Sequence, residues 1–130
     1  MAEVKVEWKG EMEFEGKDEK GNTVRMVSGS GPTPMSLLLM AFGGCTGLDV
    51  VSILEKMRVR LDDLEIDVKG ERSEEHPKTY ESIELVYRIR GDVDEEKARR
   101  AIDLSMDKYC SVGAMLKNSA DVTYRVEILR

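Results

Sequence analysis

Two kinds of hydrophobic rhythm, and the order in which they follow one another, predict an α+β fold with mostly antiparallel strands. Segments with apolar residues at every second position open the chain, recur in its middle and close it. Between them lie one segment that is apolar on every helical face and another with small and apolar residues at spacings of three and four. The predicted order is three strands, a central helix, a hairpin, a second helix and a final strand.

Val4, Val6 and Trp8 alternate with charged neighbours, as do Met12 and Phe14, which gives two half-buried strands meeting at Gly10. The Glu11, Glu13, Glu15 run is then the outer face of the second strand, not a carboxylate site. Lys20-Gly21-Asn22 reads as a turn and Thr23 to Ser28 as the third strand. Ser28 to Pro34 is too rich in Gly and Pro for regular structure and must be a loop.

From Met35 the rhythm changes. Leu37 to Phe42 are apolar on all sides, and Leu48, Val50, Val51, Ile53, Leu54 and Met57 continue almost without a polar stripe. A soluble helix of this kind must be buried all round. One subunit of 130 residues would struggle to wrap it, so a second subunit is expected to help cover it. Ser36, Gly43, Gly44, Asp49 and Glu55 interrupt the run, which argues against a membrane span.

Leu64, Ile66 and Val68 alternate with charged residues and form a strand. A polar turn around Ser73 to Lys78, with His76 on its surface, leads into a return strand with Ile83, Leu85, Tyr87 and Ile89 on one face. Asp94 is a good N-cap, and Glu95 and Glu96 suit the first turn of the helix that follows. Ala98, Ala101, Ile102, Ser105, Met106 and Tyr109 make its buried stripe. Val122, Tyr124, Val126 and Ile128 carry the last strand.

At this length and with 41% hydrophobic residues, the chain fits a single domain, 1–130, with one core. Its net charge of −6 argues against nucleic acid or an anionic membrane as partner, since both need a basic face. Met1 is followed by Ala-Glu-Val-Lys rather than a basic and then apolar stretch, so no secretory signal is expected. The expected location is the reducing cytoplasm, where a standing structural disulfide does not persist. One His and two Cys are too few for a zinc site within one chain, and neither a metal nor a cofactor is expected.

Those two thiols raise the functional question. Cys45 follows Gly43-Gly44 inside the apolar run, and a glycine pair leaves a neighbouring sulfur open to a small oxidant. Cys110 falls just after the last turn of the second helix. Taken alone, Cys45 fits a small buried hydrophobe better than a reactive thiol, and Cys110 fits packing as well as chemistry. Peroxide reduction needs a thiolate, stabilised by a cation or by helix amides. If the glycine pair loosens the helix, Cys45 lies near the amide donors of its second half. Asp49, one turn after Cys45 among apolar residues, should be hydrogen-bonded or lie at an opening, and reads as structural.

Gly31-Pro32-Thr33-Pro34, the apolar run ending in Gly43-Gly44-Cys45, and Cys110 after the second helix together resemble the OsmC/Ohr family. The family comprises osmotically inducible protein C and the organic hydroperoxide resistance proteins. The resemblance covers essentially the whole chain, and Cys45-Thr46-Gly47-Leu48-Asp49-Val50-Val51 looks closest to a small OsmC-like branch. It implies an intertwined homodimer, with antiparallel sheets wrapped around central helices. It also implies a thiol-dependent peroxidase acting on organic hydroperoxides or hydrogen peroxide, with a cytosolic dithiol as reductant. By resemblance Cys45 matches the peroxidatic cysteine, Cys110 the resolving one and Arg25 the catalytic arginine. The position of that arginine's usual glutamate partner holds Met35 here. Two other roles stay open: an OsmC-fold dimer binding a small apolar ligand around Cys45, and a redox-responsive interaction module.

Overall fold

The computed structural model describes residues 1–129. It has two compact units, Met1–Leu38 and Leu39–Arg130. In the first, β1 (Lys5–Gly10), β2 (Glu13–Lys17) and β3 (Thr23–Val27) form an antiparallel sheet in chain order. Gly10 turns the chain between the first two strands with φ 107°, a backbone state that strains any residue with a Cβ.

The register places Trp8 opposite Phe14 and Phe14 opposite Met26, so the alternation does build one apolar face. Glu15 pairs with Arg25 on the other face. The expected half-burial of the apolar face does not hold within one chain. Trp8 is 65% exposed, and Val6, Phe14 and Val24 are exposed with it. A lone three-stranded sheet has nothing of its own to lay over such a face.

Thr33 and Ser36 then cap a helix reciprocally: the Ser36 amide donates to Thr33 Oγ1 at 3.1 Å and the Thr33 amide to Ser36 Oγ at 3.0 Å. Pro34, whose missing N–H costs nothing at a first helical position, starts α1 (Pro34–Lys56). Phe42, Thr46, Val50 and Leu54, four residues apart, are its buried row. Leu48 and Val51 on the other side are exposed. So the expectation of a helix buried on all sides fails for the single chain.

The glycine pair does not loosen α1, which runs unbroken through it. The amides beside Cys45 stay in the helical ladder. Instead, a Cβ on Gly43 would stand 3.0 Å from Val68 Cγ2, and one on Gly47 3.3 Å from Ile66 Cδ1. These two glycines, one turn apart, let the helix settle closely onto a strand. α1 is long and apolar enough to cross a bilayer by length and composition alone. Its Gly43 and Gly47 lie close to Val68 and Ile66 of the strand that follows.

In the second unit, β4 (Leu61–Arg72) pairs antiparallel with β5 (Tyr80–Gly91), and β5 pairs parallel with β6 (Asp121–Leu129). Parallel neighbours need a long crossover. Here α2 (Glu95–Leu104), a π-helical turn (Ser105–Tyr109) and α3 (Ser111–Leu116) supply it. Asp94 caps α2 as expected, accepting from the Glu96 amide at 3.2 Å. The short α3 was not foreseen. Tyr109, placed in the buried stripe by its spacing, is half exposed because the π turn rotates it out of that stripe. The core joins Ile83, Leu85, Tyr87 and Ile89 of β5 to Ala98, Ala101 and Ile102 of α2 and the buried row of α1.

Candidate functional site

Cys45 lies on α1 beside a fully buried residue, Thr46, and one turn before Asp49. Thr46 Oγ1 is 2.8 Å from Tyr87 Oη on β5 and 2.8 Å from Ser105 Oγ at the start of the π turn. Ser105 Oγ is in turn 2.9 Å from Asp49 Oδ2. Hydrogen count gives this chain a direction. Ser105 donates its one hydrogen to Asp49. Thr46 must then donate to Ser105, and Tyr87 to Thr46. Three hydroxyl dipoles thus point their positive ends along one line toward a single carboxylate.

Tyr87 is fully buried, and burial pushes its phenol far above its ordinary pKa, so it remains a donor. Its ring meets that of Tyr124 edge to face at 5.8 Å, and Tyr124 Oη donates to Asp103 at 2.7 Å. Among the described residues no buried side-chain nitrogen or oxygen lacks a partner.

The π turn brings Cys110 into the same place. In an α-helix, residues five apart face directions about 140° apart. A π turn closes on the fifth residue, and here the Cys110 amide donates to the Ser105 carbonyl at 2.7 Å. Ser105 and Cys110 therefore both address α1. Cys110 leaves the helix with φ −74° and ψ 102° and caps α3, its Sγ accepting from the Gly113 amide at 3.3 Å. A Cβ on Gly113 would stand 3.2 Å from that sulfur and 2.9 Å from Phe42 Cε1, so only glycine fits without a shift.

Cys45 and Cys110 are neighbouring free thiols, and Cys45 acts on the Cys110 sulfur. Cys45 is half-buried and Cys110 buried. Burial pushes the Cys110 thiol up from 9.0 to about 11, the Gly113 amide works against the rise, and contact with Cys45 and the charge of Asp49 add to it. The pair thus has an outer sulfur that a small molecule can reach and an inner one kept protonated.

Arg25 belongs to the first unit. Its Nε and Nη2 both stand 2.9 Å from Glu13 Oε2 across the sheet. This pairing lowers the Glu13 carboxyl and raises the guanidinium. The carboxylate on Arg25 is therefore Glu13, a member of the run read from sequence as an outer strand face. His76 is exposed in its turn. Among the described residues no three metal-ligating side chains are gathered at one point.

Asp49 is hydrogen-bonded, as its apolar surroundings required. Thr46, Tyr87 and Ser105 were not singled out from sequence as site residues. Thr46 inside an apolar run and Ser105 inside an apolar stripe carried the same signal as Asp49, since a buried hydroxyl must find a partner.

Comparison with known proteins follows from the same residues. A family model described as OsmC-like protein matches residues 27–125. Protein YhfA of Escherichia coli (strain K12) is 38% identical over an alignment of 131 positions that covers 98% of each chain. The crystal structure of a hypothetical protein from Aquifex aeolicus VF5 superposes with a TM-score of 0.89 at 39% identity, covering 100% of this chain and 98% of that one. The organic hydroperoxide resistance protein OhrB of Bacillus subtilis shares the fold, with a TM-score of 0.70 at 18% identity over 98% of both chains.

Proposed function

This chain belongs to the OsmC-like protein family, and on that premise we propose that it is a thiol-dependent peroxidase of organic hydroperoxides or hydrogen peroxide. The observation that carries the reading is two free thiols distant in sequence that are neighbours in the fold, Cys45 half-buried and Cys110 buried. The name of the relative OhrB points to the same class of substrate.

The Cys45 thiolate attacks one oxygen of the hydroperoxide, the O–O bond breaks, and the other oxygen leaves as an alcohol or water. Cys45 becomes a sulfenic acid. Cys110 condenses with it to a Cys45–Cys110 disulfide and releases water. A dithiol reductant of the cytoplasm returns both thiols by exchange. Arg25, pinned on Glu13, is the cation that the family resemblance assigns to the thiolate. The working form is a homodimer, a reading supported by the bare apolar faces of the first sheet and of α1.

The test is mass spectrometry after one equivalent of cumene hydroperoxide. The expected product has lost two hydrogens and carries a Cys45–Cys110 crosslink, and Cys45→Ser abolishes hydroperoxide consumption with a dithiol. An unchanged thiol count overturns the proposal.

A further inference from the structure

Resting on the dithiol reading above, the geometry points to Asp49 as the group that takes the proton from Cys110 when its sulfur attacks oxidised Cys45. The hydrogen-bonded line Tyr87, Thr46, Ser105 serves to aim and hold that carboxylate.

The need for such a group comes from the inner sulfur. A thiol with a pKa of about 11 is ionised in only about one molecule in ten thousand at pH 7. A thiol is a poor nucleophile and a thiolate a good one, so closure of the disulfide must include removal of this proton. Asp49 is placed to remove it. It follows Cys45 by four residues, which puts both on one face of α1. It is bonded to Ser105, whose carbonyl holds the Cys110 amide. Its charge already acts on the Cys110 thiol. A carboxylate beside a thiol does not ease ionisation by its charge, but it can accept the proton.

The other ionisable groups around this point come from three elements: Cys45 on α1, Tyr87 on β5 with Tyr124 of β6 behind it, and Cys110 itself. Tyr87 is a donor held protonated by burial. The two thiols are the reacting groups. Asp49 is thus the base among the groups acting on Cys110.

The step balances without a further reagent. The Cys110 S–H proton passes to Asp49, the Cys110 sulfur forms the S–S bond, and the S–O bond of the sulfenic acid breaks. The departing hydroxide takes the proton from Asp49 and leaves as water. The carboxylate is restored, and the oxidant consumed is the hydroperoxide that formed the sulfenic acid.

Asp49→Asn is the informative variant, because its amide oxygen still accepts from Ser105 while the group no longer takes a proton. Closure is followed by stopped flow in the full-length protein, once with cumene hydroperoxide and once with diamide. Diamide adds to Cys45 directly and is displaced as its reduced hydrazine by the same attack of Cys110. In the wild type the closure rate is expected to be level from about pH 6 to about pH 8, because the proton leaves within the step instead of before it. In Asp49→Asn it should be about 100-fold slower near neutrality and climb about tenfold per pH unit, as the thiolate itself becomes the reactant. A wild-type rate that climbs tenfold per unit over that range overturns the assignment without any variant, as does an Asn variant closing at the wild-type rate. If only diamide closes the bridge, with the level profile, the peroxidase reading fails and the role of Asp49 stands.

Discussion

At the scale of single residues, Cys110 shows how a buried thiol ties stability to pH. Its pKa in the fold, about 11, lies above the ordinary 9.0, so the folded state holds this proton more tightly than the unfolded chain. The contribution is fully present below the unfolded value. It is lost as pH rises from about 9 to about 11, because the unfolded state alone gains by ionising. Urea titrations of reduced wild type and of Cys110→Ala should therefore converge or cross over that interval, the wild type losing stability relative to the variant. Lysines and tyrosines titrate in both proteins and cancel in the difference. A difference that stays constant through the interval means that Cys110 ionises alike in the folded and unfolded chains.

The same residue marks how far a sequence can be read at this scale. Cys45 and Cys110 were visible as the chain's two thiols, and the family resemblance paired them. Their nearness in the fold was not visible, because it depends on a π turn that no propensity announces. Arg25 was singled out by the family resemblance, whereas its carboxylate, Glu13, was hidden by a correct observation. Glu11, Glu13 and Glu15 do alternate with apolar residues, but a strand's charged face also has cross-strand neighbours, and Arg25 is one of them.

At the scale of elements, the fold was legible wherever period alone decides. The sequence reading placed all six strands, and the period of 3.6 placed α1 and α2. What period cannot supply is pairing. The parallel partnership of β5 with β6 follows from the length of the crossover between them, and α3 is too short to show a rhythm. The elements are locked to one another chiefly at Thr46, where α1, β5 and the π turn meet through one hydroxyl. Thr46→Val keeps the shape and removes that oxygen. Tyr87, fully buried, then loses its acceptor, which costs about 1–3 kcal/mol. The expected result is a lower urea midpoint with an unchanged slope. An unaltered midpoint would show that the three elements are held by apolar packing alone.

At the scale of the whole molecule, the unsolved balance is the apolar surface that one chain leaves bare. The apolar row of the first sheet, with Val6, Trp8 and Phe14, faces solvent, and so does the outer side of α1, where Leu48 is 76% exposed. Burying a leucine of this kind is worth roughly 1.5–3 kcal/mol, and contiguous faces of this sort are seldom left open on soluble monomers. The net charge of −6 keeps the surface soluble but does nothing to cover these rows. The homodimer proposed above would cover both, since each copy offers the same two apolar faces and symmetric pairing closes on itself. Leu48→Glu tests this where it is most sensitive. Leu48 makes little contact within its own chain, so the folded subunit should survive the change with its far-UV spectrum intact. A glutamate on a paired apolar face would have to be buried without a partner, which costs several kcal/mol for a charge. Size-exclusion chromatography with light scattering should give twice the chain mass for the wild type and the single-chain mass for the variant. A wild type that elutes at one chain mass, or a variant that keeps the doubled mass, removes α1 from the interface.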